Sequence, residues 1–193
     1  MKTDILAMEK NAIFDASLKL LKAGKFQGTP LVEIAFLSRM SSRLIENVFA
    51  TREELLGELS STLTSRIIGI IEDAGARSTS FRESFFYIWN ALYKYYTRNP
   101  DVIAFMDQFE TIKVSQKAPR MVHPANSTPL IQLFTRPECP FENKETLAAI
   151  FHSNVLSAAK MSCAPDFNDL ILQPEFFSQL LWNGLSCSET KSR

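Results

Sequence analysis

The residues TPLVEIAFLSRMSSRLIENVFATREELL, Thr29 to Leu56, decide the fold. Thr29 offers an N-cap oxygen and Pro30 sits in the first helical position, where a missing N–H costs nothing. Leu31, Ile34 and Ala35 share the buried face of a short helix. After a turn, a second short helix begins near Ser41 or Ser42 and buries Leu44, Ile45 and Val48. Thr51-Arg52-Glu53-Glu54 has capping-box spacing: the threonine oxygen takes the Glu54 N–H and the Glu54 carboxylate returns to the Thr51 N–H, so a longer helix starts at Arg52. Two short helices and a tight turn, followed by a capped third, spell a helix-turn-helix, a unit that places one helix in a DNA groove.

Working outward toward the N-terminus, Ile5, Met8, Ala12, Ile13, Ala16, Leu20 and Leu21 recur at helical steps up to Gly24 and form the first helix. Toward the C-terminus, Leu55, Leu56, Leu59, Leu63, Ile67 and Ile70 carry the connecting helix from 52 to about 73. Ser80 to Glu83 repeats the capping spacing and opens a segment dense in rings: Phe81, Phe85, Phe86, Tyr87, Trp89, Tyr93, Tyr95 and Tyr96. Asn99-Pro100 starts another helix. Residues 115–128 and 137–143 read as loops around a short helix after Pro129. The last two helices span about 144–161 and 174–185. No strand period appears, so the fold class is all-α, without internal repeats.

Of 193 residues, 46% are hydrophobic and 22% charged, enough for packed cores throughout. The 21 basic and 21 acidic side chains cancel, so the whole-chain field makes no case for nucleic acid. Up to Leu56 there are eight basic and seven acidic residues, a surplus of one. Cys139, Cys163 and Cys187 are odd in number and far apart, which argues against a disulfide framework or zinc site and for reduced thiols. No signal peptide and no apolar run of about 20 residues are present, so the expected setting is cytoplasmic, without membrane contact. His123 and His152 are isolated. No Ser/His/Asp order, metal-ligand spacing or glycine-rich phosphate loop stands out, and neither an enzyme nor a cofactor is expected.

The helix order and the run KFQGTPLVEIAFLSRMSSRLIENVFATREELL resemble the DNA-binding domain of TetR-type transcriptional regulators. Phe26, Thr29, Ile34, Ala35, Ser41, Phe49 and the Arg52-Glu53 pair fit that family's spelling. The sequence departs from it at Arg39, where the family has a turn glycine, at Arg43, where it has a small residue, and at Glu46 and Val48, where it often has aromatics. The resemblance implies a helix-turn-helix domain of three short helices over residues 1–50. It also implies a larger ligand-binding and dimerisation domain over 51–193, entered by the connecting helix.

It further implies a repressor that binds a pseudo-palindromic operator in double-stranded DNA as a homodimer and is released by a small, largely apolar effector. Dimerisation would use the helices at 144–161 and 174–185. Candidate DNA contacts are Arg43 and Asn47 to base edges, and Thr29, Ser41, Ser42 and Arg52 to phosphates, with helix N-termini adding N–H groups. Candidate effector contacts are Tyr93, Phe105, Phe109, Phe134, Phe151 and Trp182, on apolar faces away from the linkers. An alternative keeps the helical dimer and discards the DNA, leaving a ligand sensor or protein-interaction module. It is motivated by Glu46, whose carboxylate would repel phosphate.

Overall fold

The computed structural model describes residues 2–26, 29–112, 124–139, 141–164 and 174–186, with the side chains of 2–8 and 109–112 excepted. Among them are nine α-helices, one short 3-10 turn at Pro124–Asn126, and no strand. The helices are α1 (Lys2–Lys22), α2 (Leu31–Leu37), α3 (Ser42–Val48), α4 (Arg52–Gly75), α5 (Phe81–Arg98), α6 (Pro100–Ile112), α7 (Thr128–Phe134), α8 (Lys144–Cys163) and α9 (Pro174–Ser186). The all-α expectation and the helix order hold. Residues 113–123, 165–173 and 187–193, and with them His123, Cys187 and most of the loop expected at 115–128, lie outside the described residues. No described helix is long and apolar enough to cross a membrane.

The described residues divide into two compact units, one within 1–63 and 101–121, the other within 64–100 and 122–193. The first holds α1 to α3, the opening half of α4, and α6. Its core is Ile13, Phe14, Leu21, Phe26, Ile34, Ala35, Ile45, Phe49, Leu55 and Leu59, joined by Phe105 and Met106 of α6. Each large apolar side chain buried here stabilises the unit by roughly 1.5–3 kcal/mol, which two seven-residue helices need because neither is long enough to persist alone. The rings of Phe14 and Phe49 lie 6.2 Å apart. Lys10 approaches the Phe49 ring at 5.7 Å and pairs with Glu58 at 2.7 Å. Lys22 pairs with Asp101 at 2.9 Å, and the Gln108 amide donates to the Leu21 carbonyl at 2.6 Å, fastening α6 to the end of α1.

Two helix ends in this unit close the same way. After α1, Gly24 has φ +67°, its N–H reaches the Leu21 carbonyl, and the Lys25 N–H reaches Leu20. After α2, Arg39 has φ +59°, its N–H reaches the Phe36 carbonyl, and the Met40 N–H reaches Ala35. Both are Schellman ends, which call for a left-handed residue. Glycine accepts that conformation freely, whereas a side chain such as arginine costs about 1–2 kcal/mol there. The helix-turn-helix therefore turns through a residue that strains it.

The caps differ in detail from the sequence reading. Pro30, not Thr29, is the N-cap of α2, and no side chain caps that helix. The Thr29 hydroxyl instead donates backward to the Lys25 carbonyl at 2.8 Å, because the chain arriving from α1 leaves that acceptor within closer reach. At α4 the Glu54 N–H donates to the Thr51 hydroxyl at 3.1 Å as expected, but the Glu54 carboxylate accepts from the Ala50 N–H at 2.8 Å, one residue earlier than foreseen. Ser41 caps α3 through the Leu44 N–H at 3.2 Å. Ser80 caps α5 through the Glu83 N–H at 3.4 Å.

The second unit packs α5 against α8, with α7 and α9 alongside. Phe85 sits at its centre, 4.9 Å from the Phe151 ring and 5.2 Å from Trp182, edge to face with both. Phe134 joins Phe151 at 5.8 Å and Phe81 at 6.2 Å, in the edge-on geometry that ring quadrupoles favour. Several polar links run between α5 and α8. The Trp89 indole N–H donates to the Asn154 side-chain carbonyl at 2.8 Å, the Tyr93 hydroxyl meets Ser162 at 2.8 Å, and the Tyr96 hydroxyl meets His152 Nε2 at 2.7 Å. Tyr96 and His152 are buried, so this bond satisfies groups that water cannot reach.

Candidate nucleic-acid interface and effector region

Helix α3 and its cap carry four of the candidate DNA contacts, Ser41, Ser42, Arg43 and Asn47. Ile45 faces inward and is fully buried, while Ser41, Ser42, Arg43, Glu46 and Asn47 are exposed. Arg43 and Asn47 stand one turn apart and share a face. Among the described residues no hydrogen bond or ion pair engages either side chain. The outer side of α3 is therefore open, not folded against the rest of its unit. Glu46 lies on the same outer surface, so a carboxylate is offered beside the two groups best suited to base edges.

The phosphate candidates separate. Ser41 is exposed but already accepts the Leu44 N–H, and Ser42 is exposed at the first residue of α3. Thr29 is only 5% exposed, with its hydroxyl donating to Lys25. Arg52 is half-buried, and its guanidinium reaches the carbonyls of Phe26 and Thr29 at 3.4 Å each, bonds at the long end of the useful range. These contacts tie the start of α4 to the segment before α2.

The six effector candidates are divided between the two units. Phe134 and Phe151 are buried neighbours, and Trp182 joins them through Phe85 and Phe81. Tyr93 belongs to the same unit but stacks on Trp89 at 5.3 Å and bonds Ser162. Phe105 is buried in the first unit. Phe109 is on α6, and its side chain lies outside the described residues. Helical period identified apolar faces, but it carries no information on which faces meet.

Two shallow grooves of about 280 Å³ each open on the second unit. One is lined by Phe81, Arg82, Glu138, Trp182 and Leu185, the other by Ile71, Glu72, Ile88, Leu133 and Arg136. Arg136 also donates to the Thr79 carbonyl at 3.0 Å and the Ser84 hydroxyl at 3.1 Å. Burial raises the phenol pKa of Tyr96, the neighbouring Tyr95 adding to the rise; it raises that of Tyr95 too, against the opposing pull of the Arg66 guanidinium. Both phenols stay neutral at ordinary pH. No local pattern signals the Trp89–Asn154 or Tyr96–His152 links, since the partners are 65 and 56 residues apart.

No protein-family model and no curated protein matches this sequence. Solved structures do match its fold. A TetR family transcription regulator from Marinobacter aquaeolei VT8 superposes with a TM-score of 0.77 at 15% identity, over 96% of this chain and 98% of the other. A TetR-family transcriptional regulator from Haemophilus influenzae RD gives 0.72 at 16% identity, over 96% of both chains. Thermus thermophilus FadR, a TetR-family repressor in complex with lauroyl-CoA, gives 0.55 at 17% identity, over 91% of this chain and 94% of that one.

Proposed function

We propose that this chain, which has the fold of TetR-family regulators, is a ligand-responsive transcriptional repressor that reads a pseudo-palindromic operator as a homodimer. The observation that carries the reading is the open outer face of α3, with Arg43 and Asn47 exposed one turn apart. Arg43 has the donors for a guanine edge and Asn47 the paired donor and acceptor for adenine. Ser42, and Arg52 once released from its carbonyls, would take phosphates; Ser41 would do so while capping α3. In this division of roles residues 1–50 read DNA and 51–193 bind effector and partner.

The dimer surface is assigned to α8 and α9, where Ile150, Phe176 and Leu180 are 48%, 60% and 58% exposed. Large apolar groups left in water on two neighbouring helices are what a self-complementary helical interface would cover. For the effector we infer a small, largely apolar molecule held by the ring cluster of the second unit, entering where Trp182 borders its groove. The lauroyl-CoA held by the Thermus thermophilus neighbour is a precedent for that class. An effector that favours dimers with recognition helices spaced differently from the roughly 34 Å between successive major grooves would release DNA. DNA would weaken effector binding by the same factor.

The test is selection of genomic fragments by the purified protein, followed by titration of a retained fragment at rising salt. A repressor keeps one pseudo-palindrome and loses affinity steeply as salt increases. Glu46, exposed on α3, favours a second reading in which the helical dimer serves as a ligand sensor or protein-interaction module. Failure to bind any duplex at low salt, where attraction to phosphate is strongest, selects that reading.

A further inference from the structure

A groove of about 550 Å³ in the first unit runs between α1 and the turn that joins α2 to α3. Its floor is apolar, made by Ala12, Ala16, Leu20, Ala23 and Leu37, and its charged rim is Lys19, Lys25 and Arg39 against a single carboxylate, Asp15. Lys19, Lys25 and Arg39 are all exposed, and none takes part in an ion pair among the described residues. Leu37 is 48% exposed. The next apolar residues on the outside of α2, Phe36 and Val32, are 80% and 53% exposed. Arg39 holds its place in a left-handed conformation that glycine would adopt without strain.

We propose that this groove docks an acidic amphipathic helix of a partner protein, its apolar stripe seated on the alanine and leucine floor and its carboxylates meeting Lys19, Lys25 and Arg39. Charge complementarity selects the partner's sign, and the floor selects its class. A phosphodiester backbone would use the three cations but has nothing to place against five apolar residues, whereas a helix that lays one face in a groove uses both. The exposed Phe36 and Val32 extend the apolar surface beyond the rim, which suits an occupant longer than a few side chains. This inference goes beyond the regulator reading and does not depend on it.

The test uses the full-length chain without DNA and a fluorescein-labelled synthetic helix with leucines at successive turns flanked by glutamates. Two control peptides carry glutamine for glutamate, or the same composition scrambled to destroy the stripe. The acidic striped peptide is expected to bind one to one, and about tenfold or more tighter than either control, since charge and apolar stripe each contribute. The double variant Lys19→Glu, Arg39→Glu should lose about tenfold or more, and Leu37→Ser a smaller amount, while Lys94→Glu in the second unit changes nothing. Circular dichroism of each variant establishes that the fold is kept, and Arg39→Gly with Lys19→Ser serves where charge reversal unfolds it. Equal binding of the three peptides overturns the proposal. So does unchanged peptide binding by the folded double variant.

Discussion

The α3 surface and the α5–α8 core are built on opposite principles. In α3 a single buried isoleucine and a flanking phenylalanine anchor seven residues, leaving a polar outer face without commitments. Along α5 and α8, rings fill the interior, and the polar tips of Trp89, Tyr93 and Tyr96 each find a partner on the facing helix. A surface meant for an outside ligand keeps its donors free. A core pairs the tips it buries, because an unsatisfied buried group costs more than a bond returns. Substitutions should therefore divide cleanly, with core changes altering stability and α3 changes altering binding.

The largest effect should come from the ring cluster. Phe151→Ala removes a side chain that touches both Phe85 and Phe134, and urea melts should show a loss of about 3–5 kcal/mol. Arg43→Ala in the same assay should fall within about 0.5 kcal/mol of the parent. If the two variants melt alike, the contrast between the regions is lost.

Alkaline pH probes the core a second way. The folded-state pKa of Tyr96 is raised above the unfolded value near 10 by burial. Its contribution to stability is therefore intact below about pH 10 and declines as pH rises beyond it, at about 1.4 kcal/mol per pH unit for that one phenol. Urea midpoints measured from pH 8 to 11 should fall over the last unit. Tyr96→Phe should flatten the decline while lowering stability at neutral pH by about 1–3 kcal/mol, through the lost bond to His152. A midpoint that stays level through pH 11 would show the phenol to be open to water.

Smaller effects sit at the caps of the helix-turn-helix. Ser41→Ala removes the oxygen that accepts the Leu44 N–H and should cost about 1 kcal/mol. Arg39→Gly runs the other way. Relieving the left-handed residue should stabilise the chain by up to about 1 kcal/mol, raising its thermal midpoint by a few degrees. A lower midpoint for Arg39→Gly would show that the arginine side chain stabilises the turn by more than its backbone costs.

Much of this fold is legible in the residues because helices are local objects. Capping spacings at Thr51 and Ser80, proline at 30 and 100, and helical apolar steps place most ends within a residue or two. What failed was local competition and long-range assembly. Thr29 has the chemistry of a cap, but its hydroxyl donates to the Lys25 carbonyl, a backbone acceptor four residues earlier that competes with the helix end. Glu54 reached one residue past its expected partner. Phe105 stands with Phe134 and Phe151 as an effector candidate by helical period, and contacts place it in the first unit and them in the second, since period locates a face without naming what covers it. The α1 groove draws Lys19, Lys25 and Arg39 from separate segments, which no spacing could unite. One signal was available: Val32, Phe36 and Leu37 are apolar on the side of α2 that Ile34 and Ala35 do not use.

Binding of a genomically selected duplex by Arg43→Ala, with Arg77→Ala as a distant surface control, tests most directly whether the free face of α3 reads DNA. The expected result is a loss of about 1–3 kcal/mol per half-site for Arg43→Ala, with discrimination relaxed at one base pair and an unchanged melting curve. Equal affinity and equal sequence preference for the parent and both variants would contradict it.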